Sequence, residues 1–350
     1  MKPVLDIGGR KIGPDFPPYV IAEMSGNHNG DLARALEIVM AAKDAGADAL
    51  KLQTYTADTI TIDYDGPGFT VEGTLWEGRT LHDLYDEAHT PWAWHKPIFD
   101  KARELGIPVF SSPFDFTAID FLEDLGCPAY KIASFEIVDL PLIERAAATG
   151  KPLIISTGLA NSEEIAEAIA AAKTAGGQDP AILHCISTYP TAPETCNLRI
   201  IPAMIDRFKT VVGFSDHTLG TAAAIAAVGL GASIIEKHIT LDRADGGPDA
   251  AFSLEPGEFA AMVRDCNVAF AARGHGRFER PQAEDGLAVF RRSLYVVEDV
   301  AAGETFTARN VRSIRPGHGL PPKYLSSMMG RTAARDLKRG TPLSWDMIAK

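Results

Sequence analysis

Short runs rich in β-branched residues alternate with amphipathic stretches along most of this chain, and this alternation limits the possible folds more than any other feature. Eight such runs, each followed by a segment of helical periodicity, fill about 255 residues, which is the size of a (β/α)8 barrel. We therefore expect an α/β protein built on a TIM barrel. The predicted barrel strands are Tyr19–Glu23, Ala49–Gln53, Pro108–Ser111, Ala129–Ile132, Leu153–Ser156, Ala181–Cys185, Val211–Phe214 and Ser233–Lys237.

A doubly wound open sheet is the competing arrangement for alternating strands and helices. That fold requires a glycine-rich turn of the form G-x-G-x-x-G after its first strand. Here residues 23–30 read EMSGNHNG, which lacks that spacing. The turn therefore favours the barrel.

The alternating pattern ends near residues 277–285. Beyond it, short runs are separated by glycine and proline and show little helical periodicity, which predicts a small β-rich domain. A chain of 350 residues exceeds the size at which single cores stop growing, so two domains are expected. We predict a barrel domain over residues 1–285 and a second domain over 286–350, which is too small to be stable without a partner surface.

The formal net charge of −12 at pH 7 argues against a nucleic-acid-binding protein, because an acidic surface repels phosphate backbones. An anionic ligand would need a local cluster of cations in a cleft. The four cysteines form no C-x-x-C pair, which is typical of a reducing compartment. The first residues lack the apolar core of a signal peptide, and no apolar stretch is long enough for a membrane span. We therefore expect a cytoplasmic protein without membrane contact.

Polar or ionisable side chains stand at the end of every predicted barrel strand. In a barrel these carboxyl ends build the active site. A single strand-end serine is more often a helix cap, but a charged residue inside an apolar strand is costly unless it is paired, and four strands carry such residues at the same end. The pattern therefore predicts an active site, with candidates that include Glu23, Lys51, Gln53, Ser112, Lys131, Ser134, Glu136, Ser156, Ser187, Tyr189, Ser215, His217 and His238.

Lys51 and Lys131 each interrupt an apolar strand. Two cations that point into one barrel mouth suit a phosphate or a carboxylate. The structural alternative is a buried salt bridge with Glu23 or Glu136. A further alternative is the Schiff-base lysine of an aldolase, which would be Lys131 on the fourth strand.

His217 and His238 end the seventh and eighth predicted strands, which are neighbours in a barrel. Two imidazoles there can share one divalent cation, and mixed nitrogen and oxygen ligation suits Mn²⁺ or a similar ion such as Mg²⁺. Asp249 could assist, although aspartate in a glycine-rich loop is usually part of a plain turn. Either histidine alone would more often be a capping or core residue.

Two further segments stand apart from the barrel pattern. Residues 54–90 are too long for a simple loop, which predicts a lid or specificity element, with a peripheral helix over Leu81–Ala88 as the simpler interpretation. Arg315 precedes a rigid Pro-Gly turn in the second domain. It could reach a neighbouring barrel mouth, but from the residues alone a surface arginine is the preferred interpretation.

The motifs around these residues resemble the sialic acid synthase family over nearly the whole chain. They read AEMSGNHNG at 22–30, PAYKIASFE at 128–136, STGLA at 156–160, FSDHT at 214–218, IEKHIT at 235–240 and IRPG at 314–317. Within that family, WEGRTLHDLYDEA at 76–88, FSSPFD at 110–115 and Phe135, where N-acetylneuraminate synthases typically carry glycine, resemble the members that form pseudaminic acid. Gly26 stands where those members would be expected to carry alanine.

The resemblance implies a metal-dependent transferase that condenses phosphoenolpyruvate with an amino-sugar. It also implies a C-terminal antifreeze-like (SAF) domain. By the same resemblance His217 and His238 bind the metal, Glu23 is the acid/base, and Arg315 reaches the sugar in the partner's barrel of a domain-swapped homodimer. Phosphoenolpyruvate would contact Lys51, Lys131, Ser134 and Ser156, and Ser187 and Tyr189 would line the sugar side. Other substrate contacts are expected from Gln53, Ser112, Glu136, Ser215 and Asp249.

Three other functions compete with this hypothesis. The same chemistry could act on the sugar precursor of N-acetylneuraminate or legionaminate, because sugar contacts lie on loops. A Schiff-base aldolase would use Lys131 and would need no metal. A non-catalytic carbohydrate-binding or ice-binding protein would leave the polar barrel mouth without a purpose.

Overall fold

The computed structural model describes residues 2–72 and 76–349. It divides into two units, Met1–Gly274 and His275–Lys350. The predicted domain boundary after Asp285 lies beyond this division and stays a prediction. Among the described residues, no helix combines the length and the apolar character that a bilayer span needs.

The first unit contains a closed barrel of eight parallel strands in chain order, in which the last strand pairs with the first. The predicted TIM barrel is therefore confirmed. Its strands are buried on both faces, as expected of a parallel sheet that is covered by helices. The strands of the first unit are β1 (Leu5–Ile7), β2 (Arg10–Ile12), and the barrel strands β3 (Tyr19–Glu23), β4 (Ala49–Thr54), β5 (Val109–Pro113), β6 (Tyr130–Ile132), β7 (Leu153–Ser156), β8 (Ala181–Cys185), β9 (Val212–Asp216) and β10 (Ile234–His238).

Helices cover the outside of the barrel, and their starts follow local capping chemistry. The Asp31 side chain accepts a hydrogen bond from the Ala33 amide at the start of the first helix. Asn161 and Glu164 form a capping box at another helix start. The helices of this unit are α1 (Leu32–Asp44), α2 (Ala57–Ile60), α3 (Leu81–Ala88), α4 (Trp92–Leu105), α5 (Phe116–Asp124), α6 (Leu140–Ala147), α7 (Ser162–Thr174), α8 (Ile200–Phe208), α9 (Ala222–Gly229) and α10 (Pro256–Ala272).

The antiparallel hairpin β1–β2 precedes the barrel and has no counterpart in the sequence-based prediction. Its apolar side chains belong to the barrel's buried core. The Arg10 guanidinium forms an ion pair with Asp48 and donates to the Pro18 carbonyl at 2.9 Å. Because Pro18 and Asp48 directly precede β3 and β4, the hairpin packs on the amino-terminal end of the barrel strands.

The second unit has its own apolar core, which includes Leu294, Phe306 and Met328. Its regular strands are one antiparallel pair, β11 (Ser293–Val296) and β12 (Val311–Ile314), and its α-helix is α11 (Leu325–Met328). Isolated bridges supply further strand-like pairing, such as the one between Val300 and Leu337.

Candidate active site

The strand register places the functional groups of neighbouring strands side by side at the carboxyl end of the barrel. Glu23 on β3 lies opposite His238 on β10 and Lys51 on β4. All three side chains are buried. An acid, a cation and an imidazole are therefore fixed next to each other by backbone pairing, before any side-chain contact is considered.

Lys51 is the centre of a first group of contacts. Its ammonium forms an ion pair with Glu23 and donates to Ser112 Oγ at 3.3 Å. Gln53 Nε2 donates to the other Glu23 oxygen, Oε1, at 3.2 Å. The structural alternative for Lys51, a salt bridge with Glu23, is thus present. The pair lies at the carboxyl end of the barrel strands, next to Gln53, which lines the cavity at the mouth.

Lys131 is the centre of a second group. Its ammonium donates to Ser156 Oγ at 2.7 Å and lies 3.4 Å from Glu236 Oε1. The same carboxylate oxygen accepts a hydrogen bond from Ser215 Oγ at 2.9 Å. The ion partner of Lys131 is therefore Glu236 and not Glu136. Glu236 was not among the residues with a role predicted from the sequence, although a charged residue within an apolar strand was the signal that singled out both lysines.

Burial and neighbouring charges shift the pKa values of the Glu23 and Glu236 carboxyl groups in opposite directions. Burial raises the pKa of Glu23 to about 7, and the charge of Glu236 adds to this, while Lys51 opposes it. Burial also acts on Glu236, but Lys131 and Lys51 outweigh it and lower the pKa of that carboxyl group. Near neutral pH Glu236 is ionised, whereas Glu23 is poised to take up or release a proton.

The ammonium groups differ as well. Burial lowers the pKa of Lys131, with Glu236 opposing the shift. Burial disfavours the charged form of Lys51 too, but Glu23 and Glu236 outweigh it and raise the pKa of that ammonium. Lys51 therefore keeps its proton, and hence its positive charge, more strongly than Lys131 does.

His217 and His238 lie together, with 5.6 Å between their ring centroids. His217 Nδ1 is 2.9 Å from the Ile186 carbonyl, to which it donates, so its Nε2 keeps a lone pair. His238 Nδ1 is buried without a hydrogen-bond partner. Burial lowers the pKa of His217 to about 4 and that of His238 well below its ordinary value, so both rings are neutral, the form that ligates metals.

No cluster of three or more His, Cys, Asp or Glu side chains suited to a metal is found within residues 2–72 and 76–349. Two imidazoles alone would leave positions on a divalent cation for water and substrate. Such an open coordination sphere is characteristic of catalytic metals and unlike structural ones.

A cavity of about 650 Å³ lies above these groups. Ser134 and Ser187 share a hydrogen bond of 2.9 Å between their hydroxyls in its wall. Glu136 also lines it; burial raises the pKa of this carboxyl group to about 7, and its Oε2 atom has no hydrogen-bond partner. Gln53, Tyr189, His238 and Asp249 contribute to the polar side, and Ile60, Val71, Leu81, Leu84, Tyr85, Phe114 and Phe135 form an apolar side.

The segment 54–90, of which residues 73–75 lie outside the described residues, contributes Tyr55, Val71 and Trp76 to the lining of this cavity. Trp76 donates through its indole Nε1 to the Pro248 carbonyl at 3.0 Å and contacts the Tyr189 ring. Tyr189 in turn lies against His217, with 4.4 Å between the ring centroids. The peripheral helix expected over Leu81–Ala88 is present as α3. Whether the segment moves as a lid stays a prediction.

Asp249 lies in the loop after β10, and the Gly26 amide donates to its Oδ2 at 3.3 Å. The carboxyl group therefore already ties two mouth loops together, and its contact with substrate stays a prediction. Arg315 belongs to the second unit, where it is exposed directly after β12. The other predicted site residues all lie at the barrel mouth or in its cavity.

The fold and the buried lysines, carboxylates and imidazoles at its mouth define a (β/α)8-barrel enzyme. Residues 38–278 match the NeuB family and residues 291–349 match the SAF domain, so the chain belongs to the NeuB family and carries a C-terminal SAF domain.

Two relatives and one solved structure show how close the similarity is. The pseudaminic acid synthase of Helicobacter pylori is 42% identical, with 95% of this chain and 98% of that protein covered. The pseudaminic acid synthase of Campylobacter jejuni is 43% identical, with 94% and 96% covered. The crystal structure of an N-acetylneuraminic acid synthetase from Leptospira borgpetersenii, in complex with citrate, superposes with a TM-score of 0.74 at 31% identity, covering 82% of this chain and 95% of that one.

Proposed function

We propose that this chain is a pseudaminic acid synthase. It joins phosphoenolpyruvate to 2,4-diacetamido-2,4,6-trideoxy-β-L-altropyranose and yields pseudaminic acid and phosphate. The observation that carries the proposal is the division of the mouth into a floor with two buried ammonium groups and an upper cavity with one apolar side. The two pseudaminic acid synthases at 42% and 43% identity support the choice of sugar.

The floor suits phosphoenolpyruvate, whose carboxylate and phosphate carry several negative charges. Lys51 and Lys131 supply fixed positive charge, and the hydroxyls of Ser112 and Ser156 are already hydrogen-bonded to them. Such preorganised groups stabilise charge that moves during reaction, at little cost of reorganisation. Ser134 would add a hydroxyl at the border between floor and cavity.

The reaction forms a bond between C3 of phosphoenolpyruvate and the aldehyde carbon of the open-chain sugar. Water then adds at C2, and the C–O bond to phosphate breaks. Glu23 is the proposed proton carrier, because its pKa of about 7 lets it exchange a proton near neutral pH. It either donates to the new hydroxyl or accepts from the attacking water.

The two neutral imidazoles fit a divalent cation, for which we propose Mn²⁺ or Mg²⁺. The unpartnered His238 Nδ1 and the fixed tautomer of His217 are the features that support this. When bound, the cation would supply Lewis acidity toward the aldehyde oxygen. His217 and His238 would hold it and would leave positions for water and substrate.

The upper cavity suits a deoxygenated, acetylated sugar. Methyl groups of the substrate would pack against the apolar side that Leu84, Tyr85 and Phe135 help to form. Glu136, Ser187 and Tyr189 would hydrogen-bond its amide and hydroxyl groups. A sugar with more hydroxyls would leave some of them against apolar surface, which costs binding energy.

We also propose a cytoplasmic, domain-swapped homodimer in which Arg315 of one subunit reaches the sugar of the other. The exposed position of Arg315 directly after β12 supports this, because a guanidinium there is open to a neighbouring molecule. The four cysteines are free and buried, which suits a reducing compartment.

The direct test is phosphate release from phosphoenolpyruvate with three sugars: the diacetamido-trideoxy-altrose, its legionaminic counterpart and N-acetylmannosamine. We expect the altrose to be preferred, and the His217→Ala variant to lose at least about a hundredfold in turnover. His275→Ala, a change at an exposed histidine of the second unit, is the matched control and should keep full activity.

Other outcomes would point to the competing functions. Full turnover by His217→Ala would reject the metal role. A borohydride-trapped adduct on Lys131, with activity that survives a chelator, would favour an aldolase. Absence of phosphate release with every sugar would favour a binding protein.

A further inference from the structure

A third buried ion pair lies directly behind the two histidines. Lys237 Nζ is 3.0 Å from Asp216 Oδ2, and both side chains are fully buried, at 0% exposure. Asp216 precedes His217 in the chain, and Lys237 precedes His238. Because side chains alternate along a strand, the ion pair and the two imidazoles are on opposite faces of β9 and β10. Neither charged residue was among the candidates from the sequence.

The pair does more than join two strands. Lys237 also donates to the Thr218 carbonyl, and Asp216 Oδ1 accepts from the Thr218 amide at 2.9 Å. Both polar groups of the Thr218 backbone are therefore held by this pair. Thr218 follows His217, so the pair fixes the backbone on the carboxyl side of the imidazole.

Contacts from the neighbouring loop hold the same turn from the other direction. The Thr191 amide donates to the His217 carbonyl at 2.9 Å, and the Ile186 carbonyl accepts from His217 Nδ1. With the ion pair, these contacts leave the His217 ring little freedom. The His238 ring packs against Phe252, but its Nδ1 makes no hydrogen bond, so the strand that Lys237 ties to Asp216 helps to set its position.

We propose that Asp216 and Lys237 are a positioning pair that sets the separation and orientation of the two imidazoles for their cation. The proposal rests on the metal site of the proposed function. Removing two charges from water is expensive, and well-packed apolar residues often stabilise a core as well as a buried pair does. An apolar pair, however, could not hold the Thr218 amide and carbonyl. The geometry of the site therefore explains this pair better than stability does.

The test measures metal affinity apart from catalysis. The full chain is titrated with Co²⁺, and both the dissociation constant and the visible absorption of the bound ion are recorded. In the double variant Asp216→Leu/Lys237→Met, apolar side chains replace the pair. We expect this protein to fold with a lower unfolding temperature than the wild type, because the Thr218 amide and carbonyl lose their partners. It should bind phosphoenolpyruvate normally, and bind Co²⁺ at least about tenfold more weakly with an altered spectrum.

The matched control replaces another ion pair, Lys151 with Glu123, at the amino-terminal end of the strands. Glu123→Gln/Lys151→Met should leave the Co²⁺ dissociation constant and spectrum unchanged. If the first double variant does not fold, Asp216→Asn decides, because it keeps the shape of the side chain and removes the charge. Its affinity for Co²⁺ should fall about threefold or more.

Wild-type affinity and spectrum in the folded variants would overturn the positioning role and leave the pair purely structural. Failure of the metal site itself would look different. In that case the wild type would bind Co²⁺ no better than His217→Ala does.

Discussion

Glu23 and Glu236 are both buried at the barrel mouth, yet their carboxyl groups have pKa values shifted in opposite directions. Burial raises the pKa of Glu23, and Lys51 only partly opposes this because the charge of Glu236 adds to it. At Glu236 the charges of Lys131 and Lys51 outweigh burial and lower the pKa. Two groups of one type can thereby serve two purposes, one as fixed charge and one as proton carrier.

This difference predicts a pH profile. Below pH 7 the Glu23 carboxyl group of the free enzyme mostly keeps its proton, and above pH 7 it is mostly ionised. The kcat/KM of the wild type should therefore bend near pH 7, rising with pH if Glu23 acts as a base and falling if it acts as an acid. Glu23→Gln should lose at least about a hundredfold in kcat and lack this bend.

A steady-state profile from pH 5 to pH 9, on the order of two units either side of the expected bend, is sufficient for this measurement. Glu144→Gln changes an exposed carboxylate on α6 and serves as the control, with an unaltered profile expected. The proton-carrier role would be wrong if Glu23→Gln kept both the bend and the wild-type rate.

At the residue scale, sequence could identify the strand-end groups but not their partners. Lys131 was recognisable because a cation interrupts an apolar strand. Its ion pair with Glu236 joins β6 to β10, which are not neighbouring strands. Sequence spacing does not encode a contact between such strands. The Asp216–Lys237 pair was hidden because it depends on the register of β9 with β10.

At the scale of elements, strand and helix prediction succeeded where periodicity was strong. β3, β7 and β8 have the predicted bounds, and α3 spans the predicted Leu81–Ala88. The hairpin β1–β2 was missed because strands of three residues carry too little alternation to be recognised. The second unit was predicted as β-rich, but much of its pairing comes from isolated bridges, which have no periodicity.

The short 3₁₀ turn that follows β6 presents Phe135 to the cavity, and its ring is 58% exposed. Removing the ring should therefore weaken sugar binding without unfolding the protein. We expect Phe135→Ala to raise the KM for the sugar about tenfold, which corresponds to the loss of part of one buried side chain. The KM for phosphoenolpyruvate should stay constant, because that substrate lies on the floor.

Phe116→Ala is the matched control for this change. Phe116 is 49% exposed at the start of α5 and does not line the cavity. Its variant should keep both KM values. If Phe135→Ala raised neither KM, or raised both equally, the apolar side would not select the sugar.

At the scale of the whole molecule, the proposed exchange of Arg315 between subunits has a quantitative consequence. His217→Ala and Arg315→Ala should each be nearly inactive alone. When the two are unfolded and refolded together in equal amounts, half of the dimers are mixed, and each mixed dimer has one intact site. Activity should therefore return to about a quarter of the wild-type value.

The same experiment distinguishes the alternatives. If Arg315 served its own barrel, every site in a mixed dimer would carry one defect, and activity would stay near the level of the single variants. Sedimentation of the refolded mixture shows whether dimers have formed. A monomeric, fully active wild type would contradict the exchange altogether.

The hairpin β1–β2 on the amino-terminal end of the barrel bears on how substrates and products enter and leave. The hairpin adds cover to the amino-terminal end of a barrel whose interior is filled by side chains, so reactants and products enter and leave at the carboxyl end. In the proposed function phosphoenolpyruvate binds on the floor and the sugar binds in the cavity above it. Phosphoenolpyruvate must therefore bind before the sugar.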